Sequence, residues 1–292
     1  ETRRRKGQLC QTNSTSCVSC CAVGYCANIY LGCTAMTKLK LLDLFSGIGG
    51  FSLGLERTGG FETVAFCEYE EARWPILNKH WPNTIIYKDV KEINGKELTR
   101  KHGQIDVITG GFPCQDLSVC GHQRGIEAER SGLWSEIVRL VSEIRPGYVI
   151  VENVANLLSG PSEKPGAWFG RILSDLASIG YDAEWENIPA SALGAPHRRE
   201  RVWIVAYPSE KRLAGQIYRQ INPESFTGAF PRTSMLPPVT HGMGDAPDSF
   251  TLRGRDGFSE FMGQLNAYGN AIVPQVVEVI GNAILETEKL VS

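Results

Sequence analysis

A cysteine lies between a proline and a glutamine in Gly110-Gly111-Phe112-Pro113-Cys114-Gln115, just after a run of β-forming residues. A thiol off a strand end is poorly placed for a core and well placed for a nucleophile. Cys67, inside its own apolar run, reads instead as an inert small hydrophobe. Glu152-Asn153 closes another apolar run, Tyr148 to Val151. Burial there would raise the carboxyl pKa and suit Glu152 to donate a proton. The competing reading is a solvated Glu152 beside an Asn153 that caps a helix. His197-Arg198-Arg199-Glu200-Arg201 abuts a third apolar run, although arginine runs are more often solvated faces.

The stretch from Asp43 through Phe45, Ser46, Gly47, Ile48, Gly49 and Gly50 to Phe51 ends one strand and opens a helix. Its glycines let the backbone approach a ligand closely, and a helix start offers free N–H groups. Glu68, 25 residues after Asp43, stands at the end of the next strand, where an acid can accept both ribose hydroxyls of a nucleoside. Asp89 follows a third strand and could accept from an adenine amino group. A strict G-x-G-x-x-G is absent, so without Glu68 and Asp89 the turn would read as an ordinary one.

The elements that must position these groups alternate. Apolar runs at 39–45, 62–68, 84–90, 105–111, 147–153 and 201–207 predict strands. Helical spacing predicts helices at 49–59, up to about 79, between 90 and 105, at 132–144, at 168–180 with Gly180 as the stop, and at 274–290. Strands without polar alternation imply a parallel sheet covered on both faces, with ligands at the carboxyl ends of the strands.

At 292 residues the chain can bury one large core with room for a small second lobe. Thirty Lys and Arg against 32 Asp and Glu exclude a generic polycation. Residues 198–219 nevertheless hold a local excess of four positive charges that could attract nucleic acid. No apolar run reaches the ~20 residues that span a bilayer. Six of nine cysteines crowd into the first 33 residues, without paired CxxC knuckles or a nearby histidine. With Met36 the first methionine, residues 1–35 are expected to be a Cys-rich extension without a packed fold. From Pro208 to 265, prolines and glycines replace periodicity, as in a small irregular lobe. The expected organisation is therefore 1–35, a 36–207 catalytic domain, a 208–265 lobe and a returning 266–292 segment.

The segments DLFSGIGGF, GGFPCQDLSV, VENV, RRERVWIVA and YGNAIVPQV follow one another in that order. In type and order they resemble the motifs of the DNA (cytosine-5)-methyltransferases in their bacterial and phage form. The likeness spans Leu39 to about Ala206 and returns at Tyr268–Val276. It implies an α/β, Rossmann-like class I S-adenosylmethionine-dependent methyltransferase fold with a small target-recognition lobe at 208–265. It also implies S-adenosyl-L-methionine as donor, S-adenosyl-L-homocysteine as product, and no metal.

By matching positions, Phe45, Ser46, Gly47, Ile48, Gly49, Gly50, Glu68, Tyr69, Asp89, Val90, Phe112, Pro113, Asn270 and Ala271 would surround the donor. Asn270 and Ala271 lie far along the chain, so the C-terminal segment would fold back beside the first strand. Cys114 would attack cytosine C6, and Glu152 would protonate ring N3. Asn153 would fix Glu152, while Arg199 and Arg201 would hold the pyrimidine carbonyl and the loop near Cys114. The target base must leave the stack, with 115–132 as the clamp. Gln115, Ser118, Arg124 and Arg130 would meet DNA there, and Cys120 fills space. Base readers would come from Arg212, Arg219, Arg232, His241, Arg253 and Arg255, since arginine bonds guanine bidentately. Many members carry glutamine where His197 stands, and the recognition segment is short for the family.

The implied setting is the cytoplasm of a prokaryotic or phage-infected host cell, away from membrane. The protein would act as a monomer on duplex DNA, with a cognate restriction endonuclease as a further partner. A tRNA cytosine-5 methyltransferase of similar layout is the nearest alternative. A catalytically silent DNA-binding protein on the same fold would lack a use for Cys114, Glu152 and Arg199. A nicotinamide-dependent oxidoreductase would give Cys114 and Glu152 no joint purpose.

Overall fold

The computed structural model describes residues 37–112, 132–160, 165–193, 199–211, 213, 215–221 and 271–291. Seven strands form one sheet: β1 Leu39–Leu44, β2 Phe61–Cys67, β3 Ile85–Tyr87, β4 Val107–Gly110, β5 Tyr148–Val154, β6 Tyr181–Pro189 and β7 Glu200–Pro208. Their spatial order is β3-β2-β1-β4-β5-β7-β6. The helices are α1 Gly50–Arg57, α2 Trp74–His80, α3 Gly95–His102, α4 Gly132–Ile144, α5 Ala167–Ser178, α6 Gln216–Arg219 and α7 Pro274–Val291.

The expectation of a wholly parallel sheet is corrected at one strand. The pairs joining β1 to β5 are parallel, whereas β7 runs antiparallel to both β5 and β6. About ten residues separate β6 from β7, and the described part is a 3-10 turn at Ala190–Leu193. So short a link suits an antiparallel neighbour, because a parallel return needs a longer crossover. Strand β6 itself escaped the sequence reading. Among the described residues it is an edge strand with one partner, and its exposed Asp182, Glu186 and Asn187 break any apolar run.

Strand alternation sends neighbouring side chains into two separate layers. Leu42, Leu44, Ile108, Val149, Val151, Val202 and Ile204 pack on one face with Trp134, Ile137 and Leu140 of α4 and Ile172 and Leu176 of α5. Leu41, Val107, Tyr148, Ile150, Trp203 and Val205 pack on the other with Phe51 and Leu55 of α1 and Val276, Val277, Ile280 and Ile284 of α7. Helix α5 ends where Gly180, at φ +80°, takes the left-handed conformation and donates its N–H to Ala177 O at 3.0 Å.

The C-terminal helix α7 lies directly on α1. A Cβ on Gly54 would stand 2.5 Å from Pro274 O and 2.6 Å from Val277 Cβ, so only hydrogen fits between the helices. A second fastening holds α7 to β5. Glu288 Oε1 accepts from Tyr148 OH and from Lys211 Nζ, each at 2.6 Å, while Lys211 sits 4.1 Å from the Tyr148 ring centre. Among the described residues no helix is long and apolar enough to cross a membrane.

Gly54→Ala tests the helix contact. In an open helix the change favours folding by about 1 kcal/mol, but here overpacking should cost about 1–3 kcal/mol net. The urea midpoint should fall at constant m; a rise would show that the helices do not abut at Gly54.

Candidate active site

The parallel order brings the carboxyl ends of β1 to β5 to one edge of the sheet. The turn after β1 is built from left-handed residues: Phe45 at φ +53°, Gly47 at +59° and Gly49 at +83°. Phe45 is one of three non-glycine residues with positive φ among those described, and Arg199 is another. Such strain persists where surrounding contacts enforce it. Here Asp43, wholly buried, enforces it. Its Oδ2 accepts from Ser52 Oγ at 2.8 Å and its Oδ1 from Thr109 Oγ1 at 2.9 Å, tying β1 to α1 and β4.

Ser46 supports the turn from within rather than facing outward. Its Oγ donates to Asp43 O at 2.6 Å, its N–H to Cys67 O at 3.0 Å, and its carbonyl accepts from Gly49 N at 2.8 Å. Gly49 rests on Trp81, since a Cβ there would lie 2.6 Å from the indole ring. Beside Gly47 the side-chain direction is open, with nothing within 4 Å among the described residues. Cys67 is buried and its thiol is pushed up to about 12 by that burial, as suits an unreactive core residue.

Glu68, only 3% exposed, points its carboxylate at this turn. Oε2 accepts from Gly47 N at 2.7 Å; Oε1 accepts from Glu70 N at 2.8 Å and Arg73 Nη1 at 3.1 Å. Tyr69 is 69% exposed beside it. Asp89 caps a 3-10 turn at Val90–Glu92 by accepting from Lys91 N at 2.9 Å. Val90 and Phe112 are core residues, Phe112 tilted against Trp134 at 5.6 Å between ring centres. The donor set at these strand ends (an exposed aromatic, two carboxylates and an open glycine turn) fits an adenosine-bearing group.

Glu152 lies inside β5, not at its end, because pairing continues to Val154 opposite Arg201. Its carboxyl is 9% exposed, which excludes the solvated alternative, and the cap of the following 3-10 turn is Val154. Arg201 Nε lies 3.0 Å from Glu152 Oε1. Burial raises the Glu152 pKa above the usual carboxylate range, and the charges of Arg201 and Arg199 only partly offset it. Burial and the neighbouring Arg201 charge likewise lower the pKa of Arg199. Arg199 Nη2 donates to Ala271 O at 2.7 Å, binding the returning segment to the start of β7. Ile272 then meets both Gly50, where a Cβ would stand 2.7 Å from its Cβ, and Gly111. A Cβ on Gly111 would stand 3.5 Å from Glu152 Oε2.

One expected contact is corrected. Asn153 does not brace Glu152: its Oδ1 accepts from Val154 N at 2.8 Å, and its buried Nδ2 has no partner among the described residues. Successive strand residues project to opposite faces, so the two side chains cannot share a site. Pro113, Cys114, Gln115, Ser118, Cys120, Arg124, Arg130, His197, Arg198, Arg212, Arg232, His241, Arg253, Arg255, Tyr268 and Asn270 lie outside the described residues, as do residues 1–36. Arg219 ends α6 and is exposed.

Residues 39–234 match the family of C-5 cytosine-specific DNA methylases. The chain is 36% identical over 186 residues to the type II methyltransferase M.Sau3AI of Staphylococcus aureus, covering 60% of this chain and 45% of that one. It is 35% identical over 171 residues to the type II methyltransferase M.Bsp6I of Bacillus sp. (strain RFL6), covering 58% and 52%. A solved DNA modification methyltransferase encoded within an E. coli prophage superposes with a TM-score of 0.50 at 27% identity, over 60% of this chain and 48% of that chain. The chain spans about half the length of the curated relatives it matches.

Several supporting residues carried no sequence signal. Trp81 and Arg73 fall between motifs, and Arg139 of α4 holds the turn after Asp89 by donating to Val90 O at 3.1 Å and Ile93 O at 3.0 Å. Thr109 did leave a trace, as the lone polar residue among the strand-forming residues 107–109. Burial pushes the Asp43 carboxyl up to about 7 against the hydrogen bonds from Ser52 and Thr109. Between pH ~4 and ~7 the native state thus keeps a proton that the unfolded chain has released. Stability from this group should fall as pH rises through that window, by up to about 1.4 kcal/mol per pH unit, and level off above it. Denaturation of Asp43→Asn across pH 4–8 should show that slope removed, and an unchanged slope would contradict the assignment.

Proposed function

Because the chain belongs to the C-5 cytosine-specific DNA methylase family, we propose that it methylates C5 of a flipped cytosine in a specific duplex DNA sequence. Members of this family use S-adenosyl-L-methionine. Glu68 would take its ribose hydroxyls, Asp89 and Val90 its adenine edge, and Tyr69 a ring face. Phe45, Ile48, Gly47, Gly49 and Gly50 would shape the turn around it, with Phe112, Pro113, Asn270 and Ala271 closing the cradle. When bound, it supplies a methyl group on a positively charged sulfur, which C5 captures.

The chain's own groups make C5 able to do so. The Cys114 thiolate adds to C6, and the displaced π electrons become an enamine at C5. Glu152 meets the charge that builds on the ring by protonating N3. Arg201 would keep that carboxyl aimed, and Arg199 would steady the pyrimidine carbonyl side. Water then takes the C5 proton, the freed electron pair re-forms the C5–C6 double bond, Cys114 leaves as the thiolate, and N3 returns its proton to Glu152.

The observation that carries this reading is the placing of Glu152. A buried carboxyl with a raised pKa, held by Arg201, touches the space over Gly111, three residues before Cys114 in sequence. Proton donation at neutral pH calls for such a group. Type II methyltransferases of bacteria among the relatives support duplex DNA over tRNA as substrate. The proposal includes a cytoplasmic setting, in keeping with the bacterial relatives, and a cognate endonuclease acting on the same site. Monomeric action, with 208–265 as recognition lobe, completes the proposal.

Incubation with duplex DNA carrying 5-fluorocytosine and with S-adenosyl-L-methionine should yield a covalent complex. Cys114→Ser should yield none while still retarding DNA; an adduct formed by that variant, or preference for tRNA in a parallel tritium assay, would overturn the reading. Glu152→Gln should lower methyl transfer about 10²- to 10⁴-fold with little change in donor affinity, whereas equal losses in both would remove Glu152 from the proton step.

A further inference from the structure

Glu68 is held on every polar atom it has. Its N–H donates to Tyr87 O at 2.9 Å, and its carbonyl accepts from Trp74 Nε1 at 2.9 Å. On the carboxylate, Oε1 faces the segment that follows and takes two donors, Glu70 N and Arg73 Nη1. Oε2 faces the glycine turn and takes one, Gly47 N. A carboxylate oxygen has two acceptor sites, so Oε1 is saturated and, among the described residues, Oε2 keeps one site free. That site lies next to Gly47, the position in the turn whose side-chain direction is open.

The geometry points to Arg73 as a positioning residue for the ribose of the methyl donor, an inference that rests on the ribose role proposed for Glu68. Arg73 touches no donor atom in this role; it acts through Glu68. One arm of its guanidinium lies 3.1 Å from Glu68 Oε1 and the other 3.0 Å from Glu70 Oε2, while Glu70 N–H returns to the same Oε1. The ring of contacts so closed fixes the carboxylate from behind. Its remaining acceptor site is thereby aimed at the open side of the turn, where a ribose hydroxyl can donate.

Charge adds to geometry. Glu68 is nearly sealed from water at 3% exposure, and among the described residues Arg73, at 19%, is the cation in contact with it. An ionised carboxylate in such a place needs a partner of opposite charge. Without Arg73, the Glu68 side chain could turn toward solvent and the acceptor site would be lost even though the turn itself is supported independently by Asp43, Ser46 and Trp81. A purely architectural arginine would affect all ligands of the cradle alike; one that aims Glu68 affects only those bearing ribose hydroxyls.

Calorimetric titration of the full chain with S-adenosyl-L-homocysteine separates these cases. Arg73→Ala should bind it about 10- to 100-fold more weakly, and Arg73→Lys should recover part of the loss. The 2′,3′-dideoxy analogue should bind wild type and Arg73→Ala equally. The double variant Arg73→Ala with Glu68→Gln should be no weaker than Glu68→Gln alone, because the arginine acts through the acid. Equal losses for the ligand and its dideoxy analogue, or additive losses in the double variant, would overturn the positioning role. Should Arg73→Ala fail to fold, Arg73→Gln is carried through the same comparisons. If Glu68→Gln leaves S-adenosyl-L-homocysteine affinity unchanged, the ribose assignment itself falls, and this role with it.

Discussion

One wholly buried carboxyl group, on Asp43, holds together the edge of the sheet where the candidate groups meet. It sits at the end of β1 and receives donors from the first turn of α1 and from β4, so three elements share one acceptor. The glycine turn springs from that anchor. Its left-handed residues would relax if α1 and β4 could drift apart, and Glu68 would then lose the Gly47 N–H that lies 2.7 Å from it. Burial of the anchor is costly in itself, as the upward displacement of its pKa shows. Three hydrogen bonds, two of them from Ser52, offset part of that cost.

A second balance operates at Glu152. Burial favours the neutral carboxyl, while two guanidiniums favour the charged one, and burial prevails. Arg199 is itself tied to Ala271 O, so the electrostatics of β5 and the return of the C-terminal chain are one arrangement. Close packing of α7 on α1 serves the same end. Glycines at positions 50 and 54 let Ile272 and Pro274 approach the backbone of α1, which delivers the 271–273 segment to the strand edge beside Gly111. The segment leading into a helix at the far end of the sequence thereby borders the candidate site.

The family match runs from residue 39 to 234 and takes in the strand edge. Residues outside the motifs support them. Arg73 ties Glu68 to Glu70, Trp81 underlies Gly49, and Arg139 reaches across from α4 to steady the turn carrying Asp89. Each acts on a motif residue from the neighbouring layer, which is how a site becomes rigid enough for chemistry.

Apolar runs and helical spacing by themselves determined six of the seven strands, the long helices and the order of the motif segments, because period and turn chemistry are local properties. They also placed Glu68, Asp89 and the glycine turn just beyond strand ends, though Glu152 proved to lie inside β5. They could not show β6, whose edge position lets polar residues occupy a strand, nor the reversal of β7, which depends on how the chain pairs at a distance. Nor could they show that Asn153 turns away from Glu152, since a side chain's face is decided by the strand's register. Arg73, Trp81 and Arg139 likewise became visible only in three dimensions: their meaning lies in contacts with the glycine turn, Glu68 and the turn after Asp89, and such contacts arise when separate elements pack.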